Sequence, residues 1–187
     1  MIGQVKHYMG NYRLIHLLGT GAFADVYLGE HIYLNTQVAI KVLRTQLGEP
    51  NALDSFLSEA RLLSRLVHPH IVRVLEFGLE DQTPYLVMDY APGGNVRQHF
   101  PAGTVVPLRT VASYITAIAS ALQYAHDQHL IHRDLKPENL LVGAKHEILL
   151  SDFGLALLAS DAEAAQVQGR FGTIAYMAPE QIGGQPS

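Results

Sequence analysis

The 187-residue sequence predicts an α+β chain in two lobes: an antiparallel sheet with one helix, then a mainly helical lobe that is incomplete. Three observations predict it. Apolar residues alternate with period two through most of the first ninety or so positions. A single helical stretch interrupts that alternation. After a Pro-Gly break, one long helical pattern gives way to loops and short strands.

Each element follows from its own pattern. Tyr12, Leu14, His16 and Leu18 alternate with Arg13, Ile15 and Leu17. After a glycine turn, Ala24, Val26 and Leu28 alternate with Asp25, Tyr27 and Gly29. Val38, Ile40 and Val42 then alternate with Ala39, Lys41 and Leu43, and Gly or Asn bounds these runs. Over 51–67 the period changes. Phe56, Ala60, Leu63 and Val67 fall at i, i+4, i+7 and i+11, one face of a helix that Pro69 ends. Strands are expected over 71–79 and 84–89, and Ala91-Pro92-Gly93-Gly94 reads as a hinge. Residues 1–11 are therefore an N-terminal extension, 12–90 the sheet lobe and 91–187 the second lobe.

The second lobe opens with a helix over 108–128. Its apolar residues, from Val111 and Tyr114 through Ile115 and Ile118 to Leu122 and Ala125, go nearly all the way round, so it needs neighbours on every side. Residues 131–187 hold no second long helical pattern. They read as loops, short strands at 140–142 and 148–151, and an alanine-rich turn near Ala162. A buried helix without partners predicts further chain.

Composition narrows the function classes. With 48% hydrophobic and 16% charged residues, burial can offset chain entropy. A net charge of −4 argues against a nucleic-acid binder driven by phosphate attraction. The absence of cysteine excludes a disulfide scaffold, thiol catalysis and cysteine-ligated zinc. The stretch 111–125 is broken by Ser113, Thr116, Ser120 and Gln123, short of the roughly 18 uninterrupted apolar residues of a membrane span. The first residues lack the apolar core of a signal peptide. The expectation is a soluble, cytoplasmic chain with no membrane segment and no nucleic-acid partner.

Several motifs carry chemistry. Gly19-Thr20-Gly21-Ala22-Phe23-Ala24 is a glycine-rich turn whose backbone N–H groups can approach phosphate oxygens closely. A dinucleotide site would need a helix after the turn and an acid about 20 residues on; a strand pattern follows, and 38–47 holds no acid. Lys41 sits inside an apolar strand, in phase with Ala39 and Leu43. Alone it reads equally as an edge-strand lysine reaching to water. Glu59, 18 residues later on the helix, is a solvated acid or an ion-pair partner for Lys41. In His132-Arg133-Asp134-Leu135-Lys136-Pro137-Glu138-Asn139, Asp134 and Asn139 stand five apart, and Asp152-Phe153-Gly154 follows. Carboxylate and amide oxygens are the ligands Mg²⁺ prefers, and a further acid can orient a hydroxyl nucleophile. His126, His129 and His132 at three-residue spacing suggest a metal site, but the first two suit a helix end, where histidine meets exposed carbonyls.

Taken in order, Gly19-x-Gly21 with Val26, Val38-Ala39-Ile40-Lys41, Glu59, His68-Pro69-His70-Ile71-Val72, the 132–139 loop, Asp152-Phe153-Gly154 and Ala178-Pro179-Glu180 resemble the protein kinase superfamily, of the eukaryotic-like serine/threonine kind found in bacteria. Lys136 two residues after Asp134, and Gly172-Thr173 before Tyr176-Met177-Ala178-Pro179-Glu180, resemble serine/threonine rather than tyrosine kinases.

The resemblance implies a bilobal kinase-like fold and transfer of the ATP γ-phosphoryl group, with Mg²⁺, to Ser or Thr hydroxyls of a protein substrate. By it, Leu18, Gly19, Thr20, Gly21, Ala22, Phe23 and Val26 cover the nucleotide. Lys41 holds its phosphates and is held by Glu59. Ala39, Met88, Ala91 and Leu141 surround adenine. Asp134 takes or orients the substrate hydroxyl proton, with Lys136 near the γ-phosphate, and Asn139 and Asp152 hold Mg²⁺. Leu63, Val74, His132 and Phe153 match a stack of side chains that couples the lobes. A dimer for autophosphorylation is a further partner of that kind.

The sequence also departs from the family. Ala24 replaces the third loop glycine. Between Asp152 and Ala178 the hydroxyls are Ser160, Thr173 and Tyr176, so the activation segment is expected to be ordered constitutively or switched at Ser160, with Thr173 ranked lower. The family continues past Glu180 into a helical subdomain, whereas this chain stops at Ser187. The alternative is therefore a catalytically incompetent nucleotide-binding or interaction module. A small-molecule phosphotransferase with kinase-like lobes fits less well, because 172–180 resembles peptide-substrate kinases.

Overall fold

In the computed structural model, residues 8–21, 24–44, 52–153 and 176 are described. The chain divides into two compact units, one of residues 1–67 with 72–91 and the other of 68–71 with 92–187.

The first unit is built on strands β1 (Tyr8–Met9), β2 (Tyr12–Thr20), β3 (Ala24–His31), β4 (Gln37–Leu43), β5 (Val74–Glu80) and β6 (Thr83–Asp89), with helix α1 (Ala52–Ser64) between β4 and β5. All six strands form one antiparallel sheet in the order β1-β2-β3-β4-β6-β5. β4 therefore lies between β3 and β6, and both of its faces are covered: Val38, Ala39, Ile40, Lys41 and Leu43 are all buried. One face packs Met9, Tyr12, Val38, Ile40, Tyr85 and Val87 into a core cluster. Fully burying side chains such as Ile40 and Val87 contributes roughly 1.5–3 kcal/mol each. The extension before Tyr12 takes part, since Tyr8 and Met9 pair with Arg13 and Tyr12 and Met9 is buried.

Several expected boundaries move, each for a local reason. The helix expected over 51–67 ends at Ser64, where the Ser64 hydroxyl donates to the Arg61 carbonyl. Leu66 then donates to Leu63 in a tighter turn. Ala60 and Leu63 are buried as the helical face requires, but the chain has left the helix by Val67, which is exposed while Leu66 is buried. The strand expected over 71–79 begins only at Val74. Ile71 instead makes an isolated parallel bridge to Leu150 in the second unit, to which residues 68–71 belong. β2 carries bulges between Leu14 and His16 and between Leu17 and Gly19, so its alternation changes phase.

The second unit holds the short helix α2 (Val96–His99), the long helix α3 (Leu108–Asp127), a 3₁₀ turn (Pro137–Asn139) and the hairpin β7 (Leu140–Val142) and β8 (Ile148–Leu150). α2 starts with a capping box: Asn95 accepts from the Gln98 N–H and the Gln98 side chain accepts from the Asn95 N–H. α3 matches its expected span to within one residue. It buries the stripe Ala117, Ala121 and Ala125, and Ala117 packs with Val142 and Ile148 of the hairpin. Ile115 and Leu108 are exposed among the described residues, so the neighbours expected on every side are not all present there. Gly93 approaches the hairpin so closely that a Cβ would lie 2.6 Å from the Val142 carbonyl oxygen, and the Gly93 N–H donates to that oxygen at 2.9 Å. No helix of the described residues is long and apolar enough to cross a membrane.

Candidate active site

Strand register gathers the sheet-unit candidates. Gly19 pairs with Val26, Val26 with Lys41, Lys41 with Leu86, and Ala39 with Met88. Directly paired residues present their side chains to the same face. Val26, Ala39, Lys41 and Met88 thus share one face, beside the glycine turn. Lys41 is 9% exposed on an interior strand, which removes the edge-strand reading. An ammonium buried there needs a polar or anionic partner to offset its lost hydration. Glu59 lies on α1, but its side chain is outside the described residues, as are Ala22 and Phe23. Leu18, Thr20 and Gly21 are exposed at the end of the sheet, and the Gly21 N–H donates to the Ala24 carbonyl at 2.8 Å, closing the neck of the turn. Ala91 is buried at the end of the unit.

In the second unit the loop from His132 to Asn139 is held by a connected set of bonds. The buried His132 ring lies edge-on to Phe153, with centroids 4.6 Å apart. Its Nε2–H donates to the Ser151 carbonyl at 2.8 Å, and its Nδ1 accepts the Asp134 N–H at 3.3 Å, a pattern only the neutral imidazole can make. Burial pushes the His132 pKa down, against the smaller opposing effects of its bond to the Ser151 carbonyl and then of Asp152 and Asp134. Asp134 Oδ2 receives Lys136 Nζ at 2.6 Å and Asn139 Nδ2 at 3.0 Å. Asn139 Nδ2 also donates to the Asp134 carbonyl at 2.8 Å, which leaves Asn139 Oδ1 as the acceptor end of the amide. The Ser151 N–H and hydroxyl both donate to the Asn139 carbonyl, at 2.9 and 3.1 Å. Asp134 Oδ1 is buried and has no hydrogen-bond partner among the described residues. Arg133 and Asp152 take left-handed backbone angles, φ 64° and 62°, a conformation that costs a non-glycine residue about 1 kcal/mol or more.

Leu141 is half-buried in β7, opposite Leu149. Of the coupling stack, His132 touches Phe153 in this unit, while Leu63 and Val74 belong to the sheet unit. Among the three spaced histidines, His126 and His129 are exposed around the end of α3 and His132 uses both ring nitrogens on the backbone. Ser160, Thr173, the turn near Ala162 and the Ala178-Pro179-Glu180 motif lie outside the described residues.

Two polar groupings escaped the sequence analysis. Arg97 on α2 pairs with Glu138 of the 3₁₀ turn at 3.0 Å and donates to the Tyr176 hydroxyl. No short-range spacing announces a pair 41 residues apart, although the Asn95-x-x-Gln98 capping box marks the helix that carries Arg97. His68 stacks on Tyr124, sits 3.2 Å from the Ser120 hydroxyl and accepts the His70 N–H, while His70 Nδ1–H donates to the Ile148 carbonyl at 2.9 Å. These bonds fasten residues 68–71 to α3 and β8.

The family described as "Protein kinase domain" matches residues 12–187, nearly the whole chain. The chain belongs to the protein kinase family. Among bacterial kinases similar to it, "Serine/threonine-protein kinase PrkC" of Bacillus subtilis is 34% identical over 96% of this chain and 28% of the relative. "Probable serine/threonine-protein kinase PknB" of Lactococcus lactis subsp. lactis is 36% identical over 98% of this chain and 30% of the relative. The chain thus spans less than a third of the length of these curated kinases.

Proposed function

We propose that the chain carries the phosphoryl-transfer machinery of a bacterial-type serine/threonine kinase, which moves the γ-phosphoryl group of ATP to Ser or Thr hydroxyls of proteins. The observation that carries the proposal is the state of the Asp134 carboxylate. One oxygen is held by a lysine and an asparagine, and the other is buried without a partner among the described residues. Such an oxygen is suited to accept a hydroxyl proton at a defined place. The geometry of Asp134 is set by Asn139 and by the neutral His132, so little rearrangement accompanies the reaction.

The donor set also fits Mg²⁺. Asn139 keeps its amide oxygen as an acceptor, and Asp152, the residue before the Phe153 that packs on His132, supplies a carboxylate, both hard oxygen ligands. When bound, the ion neutralises charge on the nucleotide phosphates. The chain's own residues do the rest. In the sheet unit, Lys41 supplies positive charge to the phosphates and Val26, Ala39, Met88 and Ala91 supply apolar contact for adenine; in the second unit, Lys136 holds the Asp134 carboxylate in place. Dependence on ATP and the absence of cysteine both favour the cytoplasm.

The test is transfer of γ-labelled phosphate to a Ser/Thr peptide by the natural full-length protein, with Asp134→Asn as control. The substitution is expected to lower kcat by about 10²–10⁴-fold while leaving ATP affinity within a few-fold. Equal transfer by both proteins refutes the proposal. ATP binding with no transfer by the unsubstituted protein favours the nucleotide-binding module instead.

A further inference from the structure

Arg97 is partly exposed on α2 and uses two different guanidinium nitrogens on two distant segments. Nε donates to Glu138 Oε1 at 3.0 Å, 41 positions along the chain, and Nη2 donates to the Tyr176 hydroxyl, 79 positions along. All three residues belong to the second unit. A planar fork fixes the angle between its partners as well as their distances, which a single ammonium cannot do. The Asn95–Gln98 capping box anchors the start of α2, so the fork works from a fixed base.

The two partners do not depend on Arg97 equally. Glu138 sits beside Asn139 in the 3₁₀ turn, which is already tied by the Asn139 amide to Asp134 and by the two Ser151 bonds. Asp134 therefore keeps its place without Arg97. Tyr176 is exposed, and among the described residues its hydroxyl reaches the loop through the Arg97 fork. A protein chain that offers a hydroxyl to Asp134 has to lie across the exposed side chains bordering that loop. Through Arg97, Tyr176 borders it at Glu138.

We infer that Arg97 is a positioning residue for the protein substrate, bridging Glu138 and Tyr176 so that the surface beside the Asp134 loop, on which the substrate chain lies, keeps one shape. The inference rests on the kinase reading above, and one conservative exchange separates the bridge from simple charge. Arg97→Lys keeps the positive charge and one bond, but a single nitrogen cannot hold both partners in the fork's geometry. The exchange is silent if charge alone matters. If the bridge matters, it is as harmful as losing the Tyr176 hydroxyl.

The experiment is steady-state transfer from ATP to a threonine-containing peptide by the natural full-length protein, with ADP·Mg²⁺ affinity by calorimetry and Tm recorded for each variant. Arg97→Lys is expected to raise peptide KM by roughly three- to tenfold with kcat and ADP affinity within about twofold, the signature of lost binding rather than lost chemistry. Tyr176→Phe should match it. The double variant should be no worse than either single one, because both break the same bridge. Tm should change little, since both side chains lie at the surface. An unchanged peptide KM in Arg97→Lys or in Tyr176→Phe overturns the inference while leaving the kinase reading intact. So does an additive loss in the double variant. A fall in kcat or ADP affinity with peptide KM level also overturns it, and would make Arg97 a support of the loop alone. An unsubstituted protein that transfers phosphate neither to the peptide nor to itself overturns both.

Discussion

Asn139 Nδ2 donates at once to the Asp134 carbonyl, at 2.8 Å, and to Asp134 Oδ2, at 3.0 Å, so one buried amide sets both the backbone and the side chain of the acid five residues before it. The 3₁₀ turn at Pro137–Asn139 makes this reach short, and the two bonds from Ser151 keep the turn from unwinding. Asn139→Ala should lower kcat by about 10²-fold or more, because Asp134 loses its orientation and, on the proposed reading, Mg²⁺ loses an oxygen ligand. Single-turnover kinetics at saturating ATP would measure it; a kcat within threefold of the unsubstituted protein contradicts the arrangement.

Lys41 is the buried cation of the sheet unit. Lys41→Met keeps the volume and the apolar stem but removes the charge, so nucleotide turnover should fall at least about 100-fold. The fold should survive with only a small loss of Tm, because Met keeps the buried stem while the group that interacts with Lys41 loses its partner. A matching loss of Tm would mean that Lys41 serves the fold rather than the chemistry.

Two histidines predict an acid weakness in the second unit. Burial lowers the pKa of His132, and burial followed by the neighbouring His70 lowers that of His68. The unfolded chain therefore takes up protons on both rings near pH 6.5 while the native protein still resists them. Stability is complete above about pH 6.5 and declines as pH falls below it, until the native rings also protonate. Thermal melts between pH 7.5 and 5.5 should show Tm dropping on the acid side, with a shallower drop in His68→Gln. A Tm that rises on acidification over that interval reverses the sign and defeats the account.

Packing makes its own predictions. Leu150 is fully buried, its N–H donates to the His70 carbonyl, and it bridges to Ile71. Leu150→Ala should destabilise by about 2–5 kcal/mol through lost burial and the cavity left behind. Gly93→Ala puts a methyl group against backbone that cannot swing aside, and about 1–3 kcal/mol is expected there. Urea titration reads both, and a Gly93→Ala midpoint equal to that of the unsubstituted protein would show that the close approach is not required.

What the sequence determined by itself was the local part. Period and punctuation located α3 to within a residue, both strands of the β7–β8 hairpin and the cores of β3, β4 and β6, because those signals arise within a few neighbouring residues. The loop motif likewise named Asp134, Lys136 and Asn139, whose side chains bond to one another in the second unit. Tertiary structure decided the rest. That Lys41 is interior and not at an edge depends on β6 docking beside β4, a neighbour more than 40 residues away. That Tyr8 and Met9 join the sheet depends on a strand edge for them to pair with, and Met9 then completes a core drawn from β2, β4 and β6. The exposure of Val67, the Arg97–Glu138 pair and the Asp25–Arg44 ion pair are of the same kind. Each is a meeting between segments whose separation along the chain carries no periodic trace, and it exists only once strand order and register are set by burial of the whole sheet.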